Sequence, residues 1–343
     1  MSTYKVVARA FYENPYVEFF VKWYIDLGFH NITLLKADID DPDGIIERLQ
    51  ETYSPEQLTV IPVHNEGNTI LKTHYDQYRD TRYSWVLNVD CDEFLVFNRN
   101  QWPTIHDMIE SAKAYTTTLT EHPLQQIAFR WVCINKFDNR PPGSTLQELI
   151  DTYPLHGYRY HKCIAAPEHM ELSPRINCHF YYTNAPYTHL VEDKLRRITN
   201  NDTNYLPNNN ELRWGFILHL NTRSLANALT KSLVTELRDN KKIKDMPQFR
   251  TLVNGYTPNQ PVKDAFKALL NKKASLVDDM VSWHQTFGNR FHPNALTHQI
   301  RTIPRPLLTT PIVRRALEME QLEQLARLHH LNWNNLMAIM NTF

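Results

Sequence analysis

Two aspartates that directly follow an apolar stretch are the residues of this chain best suited to chemistry. Asp90 and Asp92 stand in the segment WVLNVDCDEF, which spans residues 85–94. In extended backbone, carboxylates at positions i and i+2 point to the same side, where they repel each other unless a cation lies between them. Divalent cations such as Mn²⁺ and Mg²⁺ prefer oxygen ligands and share them with phosphate. The spacing therefore predicts a metal–diphosphate site.

The residues around this pair bear on two alternatives. A strand end capped by surface acids is the simplest, but Asp90 follows WVLNV, and a half-buried unpaired acid is costly. A phosphohydrolase with an Asp-x-Asp nucleophile needs the motif after the first strand, followed by a small residue and Thr. Here Glu93 and Phe94 follow the motif, which argues against such a phosphohydrolase.

The two residues after the motif are expected to support it. We expect Glu93 to orient the aspartates rather than bind the metal, and Phe94 to pack beneath them.

The elements that must position the motif alternate between strands and helices. Strands are predicted at Tyr4–Ala10, Asn31–Lys36, Leu58–Val63 and Trp85–Val89, and helices at Pro15–Leu27, Pro42–Tyr53 and Asn68–Thr81. Alternation at this spacing predicts a parallel sheet with right-handed crossovers. Such sheets bind ligands at the carboxyl ends of their strands, which is where Asp90 and Asp92 fall. Later elements are predicted at Gln125–Val132, Arg175–Tyr182 and Phe216–Leu220 (strands) and Leu225–Asp239 (helix).

Composition argues against several classes of protein. The chain of 343 residues has 37 basic and 37 acidic side chains, so no net charge favours nucleic acid or an anionic membrane. It has eight Gly and neither GxGxxG nor GxxxxGK[ST], which argues against glycine-rich phosphate loops. None of the four cysteines forms a CxxC pair, and we expect all to be reduced. Without a signal peptide or a long apolar run, the expected location is bacterial or viral-host cytosol, including peripheral attachment to a membrane.

Several segments together resemble one family. WVLNVDCDEFLVF is similar to the W…D-x-D-E-F signature of the glycosyltransferase family 92 group and its bacterial and viral relatives, which are related to family 2, and the resemblance covers about residues 4–232. The opening of the chain has two of the family's residues, Glu13 and Tyr16, and two departures from it, Tyr12 and Phe19. Later segments add matches and one departure, Leu220 in place of Tyr; the matches are Lys162, His179, His219, Ser224 and Lys231.

This resemblance implies a GT-A fold, a Rossmann-like α/β/α sandwich that binds a nucleotide-diphospho-sugar, here with a C-terminal helical extension. It implies transfer of a sugar from a UDP-sugar with Mn²⁺ or Mg²⁺, and we expect a glycan as the acceptor. Relatives use galactose, xylose or other sugars and the identity does not carry over, so a sugar of galactose or xylose type is our expectation, as is inversion. We expect a catalytic domain over residues 1–255, divided into a nucleotide-binding half (1–100) and an acceptor half (101–255), and an extension over 256–343. A catalytically silent sugar- or nucleotide-binding scaffold is the alternative.

The resemblance also assigns residues around the diphosphate. It makes His219, at the end of the apolar strand FILHL, the third metal ligand beside Asp90 and Asp92, against the alternative of a structural histidine. Lys231 lies on the following helix, where its ammonium would reach the diphosphate or, alternatively, be solvated.

The nucleotide itself is expected across the first two strands. Arg9 and Glu13 follow or end the first strand, and Asp38 follows the second and would accept a hydrogen bond from the nucleoside. The acidic run that begins at Asp38 equally fits a plain acidic turn, since it lacks the Gly and terminal Glu of a calcium loop. Lys72, on the third helix, is a further nucleotide candidate.

The acceptor side depends on a base and on aromatic surfaces. An inverting transferase needs a carboxylate that deprotonates the acceptor hydroxyl. Asp138, in the loop after the strand that holds Trp131, and Glu168 qualify by their position in the chain, whereas a retaining enzyme needs neither. Trp131 and Trp214 are candidate stacking surfaces for a sugar, with burial in the core as the alternative.

The last predicted helix is amphipathic. One stripe of it carries four apolar residues: Leu322, Leu325, Ala326 and Leu328. The stripe predicts packing against the catalytic core. Contact with another copy of the chain or with a membrane surface is the alternative.

Overall fold

The computed structural model describes most of the chain in separate stretches. They are residues 2–10, 13–37, 44–63, 76–134, 145–152, 155–170, 189–191, 194–196, 212–220, 225–226, 229–230, 233, 246–270, 293–312 and 315–342. The predicted strand at Arg175–Tyr182 and most of the predicted helices at Asn68–Thr81 and Leu225–Asp239 lie outside these stretches.

One mixed sheet contains the strands of the described residues. They are β1 (Tyr4–Ala10), β2 (Asn31–Ala37), β3 (Leu58–Val63), β4 (Trp85–Asp90), β5 (Glu93–Val96), β6 (Gln126–Ile134), β7 (Leu155–Ala165), β8 (His189–Val191), β9 (Lys194–Arg196) and β10 (Phe216–His219). Their order is β3-β2-β1-β4-β7-β6-β10-β5, and β8 pairs with β6 and β9.

The sheet has a parallel half and a mixed half. β1 to β4 pair in parallel, as the alternation of strands and helices predicts. β7 then pairs antiparallel with both β4 and β6, β10 runs parallel to β6, and β5 is antiparallel to β10. The predicted α/β fold class, with the acidic motif at the end of the fourth strand, is confirmed. The change of direction at β7 was not predicted.

Helices follow the strands and dominate the C-terminal part. They are α1 (Asn14–Asp26), α2 (Ile45–Thr52), α3 (Ile105–Thr117), α4 (Leu146–Thr152), α5 (Met246–Asn254), α6 (Lys263–Leu270), α7 (Pro293–Ile300), α8 (Arg305–Thr309), α9 (Arg315–Leu328) and α10 (Trp333–Met340), with a 3₁₀ turn at Pro167–His169. Within the described stretches, no helix is both long and apolar enough to cross a membrane. Three cysteines, Cys91, Cys133 and Cys163, are buried free thiols, as predicted.

Helix α1 fixes the strand that follows the acidic motif. Phe94 of β5 makes edge contacts with Phe19 and Trp23, at centroid distances of 5.4 and 5.5 Å. The Tyr24 hydroxyl donates a 2.8 Å hydrogen bond to the Glu93 carbonyl. Aromatic edge contacts of this kind add to the stability gained from burial alone. The expectation that Phe94 packs beneath the motif is confirmed.

The C-terminal helices divide between two apolar clusters. Residues 296–312 contribute Leu296, Ile300 and Leu307 to the cluster around the sheet and α1. Leu322 and Leu325 of α9 instead belong to a second cluster, together with side chains of α5, α6 and α10. Part of this second cluster, including Phe249 and Val253, falls within the predicted catalytic domain, and the Tyr16 hydroxyl of α1 donates a hydrogen bond to Glu318 of α9.

Gly215 precedes β10 in a backbone conformation that other residues rarely adopt. Its φ is +122°, and a Cβ atom there would lie 2.4 Å from the Val96 carbonyl oxygen. We expect Gly215→Ala to lower the free energy of unfolding by about 2 kcal/mol or more, measured by urea denaturation. Gly44→Ala is the control, since Gly44 has φ +57° but no such close contact. An equal loss in both variants would show that the contact with Val96 is unimportant.

Candidate active site

The acidic motif lies where the chain changes direction across the sheet. From β1 the sheet extends to β2 and β3 on one side, and β4 returns on the other side of β1. Open α/β sheets bind ligands in the crevice that such a switch leaves at the carboxyl ends of the strands. Asp90 ends β4 at this edge, in register with Arg9 near the end of β1. The motif therefore borders the part of the sheet best placed to bind a ligand.

Asp92 and His219 lie side by side at this edge. His219 Nε2 is 3.6 Å from Asp92 Oδ1, and the two side chains are only 10% and 7% exposed. β10 positions the histidine, whose register partners are Glu93 of β5 and Cys133 of β6. The Leu220 N–H donates a 2.8 Å hydrogen bond to the Asp92 carbonyl, which fixes the backbone of the motif. The structure thus brings together two of the three predicted metal ligands.

Asp90, the third predicted ligand, contacts a lysine. Lys162 Nζ lies 3.1 Å from Asp90 Oδ2 and 3.2 Å from Glu93 Oε2. Lys162 and Glu93 are buried, whereas the Asp90 side chain is 58% exposed. The sequence marked Lys162 only as a match to the family, without a role. Its one further signal was a charged residue beside the apolar run CIAA.

Burial and neighbouring charges shift the proton equilibria of this corner. Burial raises the pKa of Glu93 well above its ordinary range, and Lys162 only partly opposes this. Partial loss of hydration would also raise the pKa of Asp90. The neighbouring Lys162 ammonium outweighs this effect, so the pKa of Asp90 lies below its ordinary value. Burial also raises the pKa of Cys133, so a neutral thiol lies 3.9 Å from His219 Nδ1.

The donor atoms around Asp92 fit a divalent cation in their chemistry. Carboxylate oxygen and neutral imidazole nitrogen are both ligands that Mn²⁺ accepts, and a buried carboxylate needs a compensating charge. Among the described residues, however, no three His, Cys, Asp or Glu side chains are grouped closely enough to hold a metal. Asp90 faces Lys162 and lies next to the Asp92–His219 pair, close enough to interact with both charges.

The two tryptophans proposed as sugar-stacking surfaces differ in position. Trp131 of β6 is half-buried and contacts the His219 ring in a tilted arrangement, at a centroid distance of 4.4 Å. The Tyr160 ring also contacts Trp131, at a centroid distance of 5.3 Å. Trp214 is 3% exposed and stacks on Trp102, at the amino end of β10. Trp214 is therefore a core residue, as the alternative reading of the sequence has it, and it offers no surface to a sugar.

Two predicted nucleotide-binding residues flank the end of β1. Arg9 is half-buried beside Asp90, and Glu13 precedes α1, where its carbonyl accepts the Tyr16 N–H at 2.8 Å. Both lie at the same edge of the sheet as the acidic motif. The other four predicted site residues lie outside the described stretches: Asp38, Lys72, Asp138 and Lys231.

Glu168 lies at the opposite edge of the sheet. β7 runs antiparallel to β4, so that Ala165 is in register with Val86, near the start of β4. The four residue steps from Val86 to Asp90 span about 13 Å, whereas a general base must reach its proton directly or through one water. The Glu168 side chain is 74% exposed and contacts only His169 among the ion pairs described. The prediction of Glu168 as catalytic base is therefore wrong.

Replacement of Glu168 tests whether this residue takes part in catalysis. We expect Glu168→Gln to change the rate of UDP-sugar turnover by less than about twofold, as for most exposed side chains away from a site. Steady-state assays of the two proteins at one Mn²⁺ concentration measure this. A loss of activity of tenfold or more would return Glu168 to the site.

Comparisons with known proteins show only a partial likeness of fold. No protein-family model and no curated protein matches the chain. Glucosyl-3-phosphoglycerate synthase from Mycobacterium tuberculosis, solved with Mn²⁺, UDP and phosphoglyceric acid, is 15% identical at a TM-score of 0.26, and the match covers 49% of this chain and 56% of that one. A 4-diphosphocytidyl-2C-methyl-D-erythritol synthase from Anaerococcus prevotii is 9% identical at a TM-score of 0.26, over 49% of this chain and 72% of that one. Similarity at this level does not bear on substrate or mechanism.

Proposed function

We propose that the protein is a metal-dependent glycosyltransferase that moves a sugar from a UDP-sugar to a glycan acceptor with inversion. The observation that carries this proposal is the buried Asp92–His219 pair, 3.6 Å apart, at the carboxyl edge of the sheet. The choice of UDP and of a galactose- or xylose-type sugar rests on the resemblance of the sequence to the glycosyltransferase family 92 group.

The residues divide between the diphosphate and the acceptor. Asp92 and His219, with Asp90 beside them, would hold Mn²⁺ or Mg²⁺. When bound, the cation would supply positive charge that stabilises the departing diphosphate. Arg9, at the end of β1, lies on the nucleotide side of this edge, and Trp131 offers an aromatic face next to His219.

The remaining roles rest on chain position. Asp138 is the proposed base that takes the proton from the acceptor hydroxyl. The segment that holds it begins after β6, whose Cys133 is in register with His219. Glu13, Asp38, Lys72 and Lys231 complete the proposed nucleotide site.

A second candidate is a catalytically silent nucleotide- or sugar-binding protein. The ion pair between Lys162 and Asp90 favours it, because an internal ammonium already compensates part of the acidic charge without a metal. An Asp-x-Asp phosphohydrolase is disfavoured, because the motif follows β4 and not β1.

A panel of UDP-sugars separates these candidates. The purified protein is incubated with each sugar nucleotide, with Mn²⁺ or with a chelator, and released UDP is measured together with UDP binding by calorimetry. Mn²⁺-dependent release of UDP from at least one donor supports the transferase. Mn²⁺-dependent binding of UDP without turnover of any donor would support the silent binding protein. Absence of both would overturn both proposals.

A further inference from the structure

Asp90 is held at two points by one pair of buried side chains. Its backbone N–H donates a 2.8 Å hydrogen bond to Glu93 Oε2, and the same oxygen lies 3.2 Å from Lys162 Nζ. Lys162 Nζ in turn donates to Asp90 Oδ2 at 3.1 Å. The contacts close a ring through the backbone and the carboxylate of Asp90, so both the position and the rotation of its side chain are constrained.

The three side chains of this ring differ in their exposure to solvent. The Lys162 side chain is 3% exposed and the Glu93 side chain 0%, whereas Asp90 is 58% exposed. A ligand that arrives from solvent therefore meets Asp90 first, and Lys162 stands behind it. The lysine is placed to act through Asp90 and not by direct contact with a nucleotide.

The two supporting residues stand on strands that the rest of the fold fixes. Glu93 begins β5, where its carbonyl accepts the Tyr24 hydroxyl of α1. Lys162 lies within β7, in register with Phe129 of β6. Side chains on strands are held in place more precisely than side chains on loops, which suits residues that orient a neighbouring side chain.

We infer that the Glu93–Lys162 pair positions Asp90 for cation binding, with Lys162 holding Oδ2 and leaving Oδ1 to the cation. This inference rests on the proposed function, since it assumes a cation at Asp92 and His219. Groups that hydrogen-bond metal-binding carboxylates fix their orientation, and their loss commonly lowers metal affinity by about 10- to 100-fold.

The direction in which the Mn²⁺ affinity changes when Lys162 is replaced distinguishes a positioning role from a purely electrostatic one. Lys162 carries a positive charge next to the proposed cation, so Coulomb repulsion alone predicts tighter cation binding once that charge is removed. Positioning predicts weaker binding from the same change. A lysine that only stabilises the fold would lower the melting temperature and leave the Mn²⁺ affinity of the folded protein unchanged.

The test measures Mn²⁺ affinity of the full chain by calorimetry, for wild type, Lys162→Met and the double variant Glu93→Gln/Lys162→Met. The double variant removes the Lys162 ammonium together with the ionisable group of Glu93, so no buried carboxyl group is left beside a missing lysine, and it provides a folded protein where the single variant is too unstable. We expect both to bind Mn²⁺ about 10- to 100-fold more weakly than wild type. Lys5→Met removes another buried lysine of the same sheet, near the start of β1 and in register with Val86, and should leave the affinity unchanged.

The outcomes are distinct. Unchanged or tighter Mn²⁺ binding by a folded Lys162 variant would overturn this inference and leave the proposed function standing. Failure of the wild-type protein to bind either Mn²⁺ or Mg²⁺ would overturn both.

Discussion

Replacement of Asp92 by alanine is expected to lower Mn²⁺-dependent release of UDP by at least about 100-fold, more than the loss of a residue that only supports a metal ligand. Asp92 is 7% exposed and faces His219 at 3.6 Å, so its carboxylate is placed to share a cation with the imidazole. Its loss removes a donor atom and leaves His219 without its carboxylate partner. Initial rates at saturating UDP-sugar, together with Mn²⁺ titrations, measure the effect.

Two further variants complete this experiment. His219→Ala should reduce the rate similarly, and the double variant should be little worse than either single one, because residues that act as a unit are not additive. Glu110→Gln on α3 is the control for loss of an acidic side chain, since Glu110 is 44% exposed and pairs with Lys113. If Asp92→Ala kept wild-type activity and Mn²⁺ affinity, the proposed metal site would be wrong.

Replacement of Asp80 by alanine is expected to lower the free energy of unfolding by about 3–5 kcal/mol, the usual cost of leaving one partner of a buried ion pair behind. Lys5 Nζ lies 2.9 Å from Asp80 Oδ2, and the two side chains are 2% and 9% exposed. Gln77 Oε1 also accepts from Lys5, at 2.7 Å, but carries no charge. Urea denaturation near pH 7 measures the difference, with Glu110→Ala as the surface control, expected to cost at most about 1 kcal/mol.

The Lys5–Asp80 ion pair also predicts how the difference in unfolding free energy between wild type and Asp80→Ala depends on pH. Burial raises the pKa of Asp80, but hydrogen bonds from Arg82 and Lys5 outweigh it and hold the pKa well below its ordinary value. A depressed pKa means that Asp80 stabilises the fold above its unfolded pKa of about 3.9 and loses this contribution as pH falls through the folded value. The stability gap between wild type and Asp80→Ala should therefore narrow below about pH 4. A gap that stayed constant down to pH 2 or so would show that the ion pair contributes little.

The sequence by itself determined the parallel half of the sheet and the place of the acidic motif. The limits of β1 and β3 agree with those predicted, because alternation of short apolar runs and amphipathic helices is a local property of the chain. The position of Asp90 at the end of β4 follows from the same local pattern. The resemblance then paired Asp92 with His219, and the structure places the two side by side.

Only the tertiary structure decided which distant residues surround that motif. Lys162 reaches Asp90 because β7 enters the sheet next to β4, a contact between residues 72 positions apart. The antiparallel direction of β7 also carries Glu168 to the opposite edge, and the short strand β5 places Glu93 between Asp90 and the lysine. The direction and neighbours of a strand depend on packing across the whole sheet, whereas apolar periodicity reports only which residues of one segment are buried.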